Sequence, residues 1–361
     1  MSFAFAEIKL TNLEKNVASI RKKIGNGVRI LAVVKANAYG HGSVEISKKL
    51  TSLNVNDLAV ATYEEAIEIQ SAGIKANILI LGSITNEEII SSISRDIVFT
   101  IYDISQLHFI NSLKNINNIP FHLKIDTGMN RLGIEIKEIP ESINIIKKNK
   151  NLFLTGIYTH FPESNLKTSS FTKLQIMEFN KIITDYKNAI PGIDFFHIAN
   201  SSGIFNYKDS HLNMIRPGLA LYGLYSDDDN FYPIMELKTS LIKIRNIKEG
   251  DSISYGRTFT AKGNMKIGVI PIGYADGLPR ALSNKGKVIC NNVECPILGR
   301  VCMDLTIVDI SNVRNPKVGD NVTIFGNDKI SANEVAEICE TIPYEIICGI
   351  SKRVKRIYKW K

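Results

Sequence analysis

The chain has 361 residues, 44% of them hydrophobic and 22% charged, an ordinary globular composition with room for two domains at roughly 150 residues each. The start, MSFAFAEIKL, lacks the basic region and apolar length of a signal peptide, and no apolar run approaches the roughly 20 residues a membrane helix needs. The net charge of +8 is spread along the chain apart from KRVKRIYKWK at the end, which reads as a solvated strand end or tail, and no helix-turn-helix, zinc-finger or RNP pattern accompanies it to suggest nucleic acid.

TNLEKNVASIRKKIG opens with a capping box at Thr11 and Glu14 and carries Leu13, Val17, Ile20 and Ile24 at helical spacing, with Gly25 as its stop. The strand ILAVVKAN follows. TYEEAIEIQSAG repeats the design with Thr62, Glu65 and Gly73. Continuing along the chain, short β-branched runs are ILAVVKAN, DLAVA, NILILG, IVFTIY, FHLKIDTG, LTGIYTH, FFHIANS and MIRPGLALYG, eight strands with space for a helix between most neighbours. Near-continuous apolar strands alternating with helices predict a parallel sheet, and eight of them predict a (β/α)₈ TIM-like barrel of α/β class. A doubly wound sheet is the alternative. It lacks a phosphate fingerprint, because GNGVRI misses its third Gly and follows a helix.

Beyond about residue 228 the texture changes. SDDDN reads as a polar linker, and LIKIRNI alternates Ile242 and Ile244 with Lys243 and Arg245. KEGDS, AKGN, CNNVEC and KVGDN punctuate further short strands. One helix, SANEVAEICETI, starts at a capping box of Ser331 and Glu334, with Pro343 after its end. The expected division is a barrel over residues 8–228 and a mostly-β domain over 229–361, with residues 1–7 as candidates to pair with the latter. The five cysteines are odd in number and lack the CxxC spacing of a metal site, which points to reduced thiols in a cytoplasm and to no metal.

Barrel enzymes carry their chemistry at the C-terminal ends of the strands. Polar residues cluster there. The first strand ends with Lys35 and Asn37, the fifth with Lys124, Asp126 and then Arg131. The sixth ends at His160, the seventh carries His197, Asn200 and Ser201, and the eighth carries Arg216. Each has a bland reading as a satisfied structural group or ion pair. Their convergence favours a shared site, since strands about 4.8 Å apart bring His160, His197 and Arg216 within mutual reach. Ser201, Ser202, Gly203 and Gly218 lie in the loops where barrels commonly bind phosphate. A lysine, a phosphate cradle and a buried cation together suit pyridoxal phosphate.

AVVKANAYGHG, HLKIDTGMNRLG, GIYTHF, HIANSSG, MIRPGLALYG, SISYGRTF, PIGYADGLPR and GRVCMDLTIVDI resemble, in order and along nearly the whole chain, the bacterial alanine racemases. The resemblance implies a pyridoxal 5'-phosphate enzyme with an N-terminal barrel and a C-terminal β domain, active as a homodimer. It implies that L- and D-alanine are interconverted by two bases and that D-alanine is supplied for peptidoglycan. On it, Lys35 holds the cofactor and acts on the D-alanine face, while Tyr255, lent by the partner subunit, acts on the other. Tyr39, Ser201, Gly218 and Leu219 match the phosphate site, and Arg216 faces the pyridine nitrogen with His160 and His197 beside it. Because a guanidinium keeps its proton, Arg216 would leave that nitrogen unprotonated and the ring a weaker electron sink. Arg131 matches an arginine near the substrate carboxylate, and Lys124 a lysine that is carbamylated in some members. Tyr274, Met303 and Asp304 match positions lining the pocket and its entry. Asn200 is a supporting residue. Lys352 stands where some relatives carry an aromatic at the inner gate, so that its long side chain would either leave the gate looser or pair with an acidic neighbour, and Lys355 stands where many relatives show a proline.

Alternatives are a racemase preferring serine, a pyridoxal-phosphate decarboxylase of the same plan, and a single-domain pyridoxal-phosphate-binding barrel. The SYGRTF and CMDLT blocks argue against the second. The β domain argues against the third.

Overall fold

A computed structural model describes residues 4–114, 116–225 and 230–360. The expected linker at SDDDN and the boundary at 228/229 fall on residues 226–229, outside the described residues, apart from Asn230. The chain forms two compact units, one of Met1–Asn16, Tyr39–Gly42 and Tyr222–Lys361 in their described residues, the other of Val17–Ala38 and Ser43–Leu221.

Strand β1 (Phe5–Lys9) belongs to the first of these units, and the second is built on β2 (Arg29–Val33), β3 (Asp57–Val60), β4 (Asn77–Ile80), β5 (Val98–Ile101), β6 (Ile119–Lys124), β7 (Leu152–Tyr158), β8 (Phe195–His197) and β9 (Met214–Ile215). Those last eight make a sheet in the order β8-β7-β6-β5-β4-β3-β2-β9, with parallel pairing throughout. The far edges approach one another, since Arg216 N–H donates to Ala199 O at 2.9 Å and Phe196 N–H to the Asn213 Oδ1 at 2.7 Å. A helix separates every successive pair of strands. The strands are buried on nearly every residue, as a sheet covered on both faces requires. The anticipated (β/α)₈ barrel is therefore present.

Strand ends fall short of the apolar runs that announced them. β2 stops at Val33, β7 at Tyr158 and β9 at Ile215, so Lys35, His160 and Arg216 follow their strands instead of ending them. Caps differ as well. The helix Leu10–Ile24 begins ahead of Thr11, because β1 pairs through Lys9 and runs straight into it. At Tyr63–Ser71, Thr62 Oγ1 accepts the Glu65 N–H at 3.3 Å, but the Glu65 carboxylate does not return to Thr62. A complete capping box occurs instead at Thr85 and Glu88.

Within β6 the register against β7 shifts between Phe121 and His122, and the buried His122 ring fills the space over Gly156. A β-carbon on Gly156 would lie 2.6 Å from that ring.

The other unit is mostly β. It adds β10 (Met235–Ser240), β11 (Lys243–Ile247), β12 (Ser252–Ile253), β13 (Phe259–Thr260), β14 (Met265–Ile270), β15 (Lys287–Cys290), β16 (Val293–Pro296), β17 (Thr306–Asp309), β18 (Asn321–Phe325) and β19 (Lys355–Lys359). Its largest sheet runs β16-β15-β18-β10-β1-β19, with β1 antiparallel to β10 and parallel to β19. Ser331 caps Ala332–Ile338 by accepting the Glu334 N–H at 3.0 Å, while the Glu334 carboxylate turns to Lys287 at 2.9 Å. Pro343 does more than stop that helix. It opens a second one, Pro343–Cys348, at the position where its missing N–H costs nothing.

Gly156→Ala should destabilise the protein by about 1–3 kcal/mol, read as a lower urea midpoint with unchanged slope, because the His122 ring cannot retreat.

Candidate active site

The residue after Val34 is Lys35, and the backbone there turns with the wrong hand. Ala36, Asn37, Ala38 and Tyr39 all have φ near +52°. Left-handed geometry costs roughly 1–2 kcal/mol per residue that carries a Cβ, so four in succession persist only if other contacts hold them. The Ala38 N–H donates to Val34 O at 2.8 Å, and Asn37 Oδ1 accepts the Ser43 N–H at 2.8 Å. Glu65 supplies a further tie, its Oε1 accepting the Ala36 N–H at 2.6 Å and its Oε2 the Ala61 N–H at 2.7 Å. Beyond the turn, Gly40 and Gly42 are also at positive φ, and a side chain on either would strike Ile347 O or the Tyr358 hydroxyl.

Arg216 is buried and gives every hydrogen bond it makes. Its Nη1 donates to His197 Nδ1 at 2.7 Å. Its Nη2 donates to Thr159 O at 2.7 Å, Ile198 O at 3.0 Å and His160 Nδ1 at 3.2 Å. Both imidazoles must therefore accept at Nδ1 and keep their hydrogen on Nε2. Desolvation, reinforced by the charge of Arg216, holds the pKa values of His160 and His197 well below the usual value, so both rings are neutral. His197 Nε2 then donates to His122 Nδ1 at 2.9 Å, and burial brings His122 down to about 3. Burial lowers Arg216 itself to about 10, still charged at neutral pH.

The Tyr158 ring stacks on His197 at 4.7 Å, with the Arg216 guanidinium 5.1 Å and the Lys124 ammonium 5.7 Å from its centre. Lys124 is buried at the end of β6, and its pKa is lowered to about 8 by desolvation first, then by the charges of Arg131, Arg216 and Lys35. Asp126 opposes them, but its Oδ1 is occupied in accepting the Gly128 and Asn130 N–H groups at 2.8 and 3.1 Å. Lys35, Lys124, Arg131 and Arg216 thus form a knot of positive charge that asks for an anionic ligand.

Ser201 Oγ accepts the N–H of Gly218 at 3.0 Å and of Ala220 at 3.2 Å, which leaves the hydroxyl hydrogen to donate elsewhere. Leu219 lies half-buried between them. Asn200 plays a structural part, its Oδ1 accepting from Gly203 N–H and the Ser164 hydroxyl.

In the other unit, Tyr39 is buried near the Tyr222 and Tyr344 rings, and desolvation pushes its phenol well upward, so it stays a donor. Tyr255 is 71% exposed on a loop where Ser254, Gly256 and Arg257 have positive φ, pinned by the Ser254 hydroxyl to Arg300 O at 2.6 Å. Tyr274 and Met303 are near it in the chain's folding, since Tyr274 N–H donates to Cys302 O and Ser254 Oγ touches Cys302 Sγ at 3.4 Å. Asp304 and Asp276 are bridged by Arg353 at 2.8 and 3.3 Å, so Arg353, next along from Lys352, takes the acidic neighbours.

Residue order assigns no role to His122 or Tyr158, and to Glu65 only a capping box that it does not complete. His122 shares the alternating face of Lys124 two residues on, one layer below the strand tip.

The profile described as "Alanine racemase, N-terminal domain" matches residues 8–226, and "Alanine racemase, C-terminal domain" matches 234–358. A protein named alanine racemase from Methanococcus maripaludis is 40% identical over 98% of this chain and 98% of its own. A solved alanine racemase from Clostridium difficile superposes with a TM-score of 0.93 at 36% identity, covering 99% of this chain and 96% of that one. A Bartonella henselae alanine racemase, solved with covalently bound pyridoxal phosphate, gives 0.91 at 28% identity, over 99% and 100%.

Lys124→Met should stabilise the cofactor-free protein most at neutral pH. The lowered pKa means the parent carries a disfavoured charge below pH 8, a penalty that fades as pH rises toward the ordinary lysine value near 10.5. The gap in melting temperature between variant and parent should therefore close across that interval.

Proposed function

The chain belongs to the alanine racemase family, and from that premise we propose how its residues interconvert L- and D-alanine with pyridoxal 5'-phosphate. The observation that carries the assignment is the knot of Lys35, Lys124, Arg131 and Arg216, with the Ser201 hydroxyl beside Gly218, in the unit of Val17–Ala38 and Ser43–Leu221. Such a donor set suits a ligand bearing a phosphate, a phenolic oxygen and a ring nitrogen. We assign the cofactor's covalent link to Lys35, its ring nitrogen to Arg216, and its phosphate to Tyr39, Ser201 and the backbone of Gly218 and Leu219. When bound, pyridoxal phosphate makes the Cα proton of the amino acid acidic enough to remove.

Racemisation needs a base on each face of Cα, because one group cannot reach both. Tyr255 removes the proton of L-alanine, and the Lys35 amine delivers one from the opposite face; for D-alanine the two exchange roles. The neutral His160, its hydrogen on Nε2, is the donor that a phenol oxygen needs as it releases a proton. Arg131 takes the substrate carboxylate, and Lys124 orients Arg131. A neutral amine is the form that reacts with carbon dioxide, and a pKa near 8 makes that form accessible at neutral pH. Tyr274, Met303 and Asp304 line the entry.

We further propose a homodimer in which Tyr255 of residues 229–361 serves the partner's Lys35. Tyr255, Tyr274 and Met303 are 71%, 45% and 52% exposed in the single chain. Along Ser170–Ala189 and the turn before it, Leu166, Phe171, Leu174 and Met177 form a second exposed apolar stripe. A cytoplasmic location fits five cysteines that form no disulfide, and among the described residues no helix is long and apolar enough to cross a membrane.

Borohydride treatment of the yellow protein should fix the cofactor to Lys35, read by peptide mapping; a different lysine would overturn the assignment. Tyr255→Phe should lose about 10²–10⁴ in kcat. It should stop exchange of the α-hydrogen of L-alanine with solvent while exchange from D-alanine survives. Replacing Leu174 and Met177 with Glu should yield monomers and abolish turnover, checked by sedimentation beside activity. L-alanine should be racemised faster than L-serine or L-lysine.

A further inference from the structure

We infer that Glu65 is a positioning residue for Lys35, acting through the backbone of the left-handed turn; the inference rests on the role given to Lys35 above. One carboxylate ties together the tips of two neighbouring strands. Its Oε1 accepts the N–H of Ala36, the residue after Lys35, and its Oε2 that of Ala61, the residue after β3. These are the amides that β2 and β3 leave behind as the chain departs from the sheet.

The turn has reason to need such a clamp. Ala36, Asn37, Ala38 and Tyr39 each bear a Cβ and each adopt φ near +52°, a conformation that relaxes toward the right-handed or extended regions when released. The peptide joining Lys35 to Ala36 sets the direction in which the Lys35 side chain leaves the barrel. Holding its N–H fixes that direction.

Glu65 is also drawn away from a local use. Three residues after the Thr62 cap, it could bond the Thr62 N–H and complete a capping box. It reaches across to the neighbouring strands instead, and the helix Tyr63–Ser71 keeps only the half supplied by the Thr62 hydroxyl. Both partners of Glu65 are donors, so both of its oxygens must accept. Glutamine offers one accepting oxygen and would turn an NH₂ toward the other N–H. Aspartate, one methylene shorter, cannot span both. The position therefore demands a carboxylate of this length.

The test compares Glu65→Gln and Glu65→Asp with Thr62→Ala, which weakens the same helix without touching the turn. In the cofactor-free protein, the Ala36 amide should exchange hydrogen about tenfold faster in both Glu65 variants than in the parent, and at the parental rate in T62A. In the holoenzyme, both Glu65 variants should lower kcat about tenfold or more while KM for alanine changes less than about twofold. They should also weaken the visible circular-dichroism band of the bound cofactor. Parental kcat and dichroism in E65Q and E65D, or equal losses in T62A, would overturn the inference. Should mapping place the cofactor on another lysine, the amide-exchange contrast would remain while kcat and dichroism lost their link to it, so the two failures can be told apart.

Discussion

A buried guanidinium that can only donate imposes one protonation pattern on the interior of the barrel. Arg216 reaches two main-chain oxygens and two imidazole nitrogens, and neither ring has a choice of tautomer once it accepts. The pattern propagates. His197, with its hydrogen displaced to Nε2, hands a bond to His122, and that ring in turn requires a glycine at residue 156 in the neighbouring strand. Lysine in place of Arg216 would keep the charge but could not fork to four acceptors. The geometry of a planar donor, more than its charge, organises this part of the molecule.

The same interior is costly to assemble. Lys124 sits in a buried environment that already contains Arg216 and faces Arg131 and Lys35, and the offset from Asp126 is partial. A turn of the wrong hand stands directly beside them. Both features oppose folding and both lie where cofactor and substrate anions are assigned. Strain and unmatched charge concentrated in one place are what a site adapted to bind, and not to be stable alone, would show.

Much of this could be read from residue order. Eight apolar runs with helices between them announced the barrel, and late polar residues on its strands announced where chemistry would gather. The errors have local causes. Hydrophobic runs extend past the last ladder hydrogen bond, so Lys35 looked like part of a strand when it begins a turn. A Thr-x-x-Glu spacing describes what two side chains can do for a helix end, but Glu65 accepts from Ala36 past the neighbouring strand and from Ala61 just before the cap, and Glu334 prefers Lys287. Nothing in the order of residues says that His122 will hydrogen-bond a side chain seventy-five positions away. One-dimensional spacing sets which face a residue occupies and leaves its long-range partner open.

Strand β1 lies inside the six-stranded sheet, with β10 on one side and β19 on the other. Phe5–Lys9 is synthesised well before either of its neighbours, Met235–Ser240 and Lys355–Lys359, because every strand of the barrel lies between it and the first of them. Translation proceeds at about 5–20 residues per second, so this strand waits tens of seconds with its ladder groups unmatched while the barrel segments are being made. Protection of a nascent hydrophobic edge during that interval is a demand that the topology places on the cell, independent of anything the finished protein does.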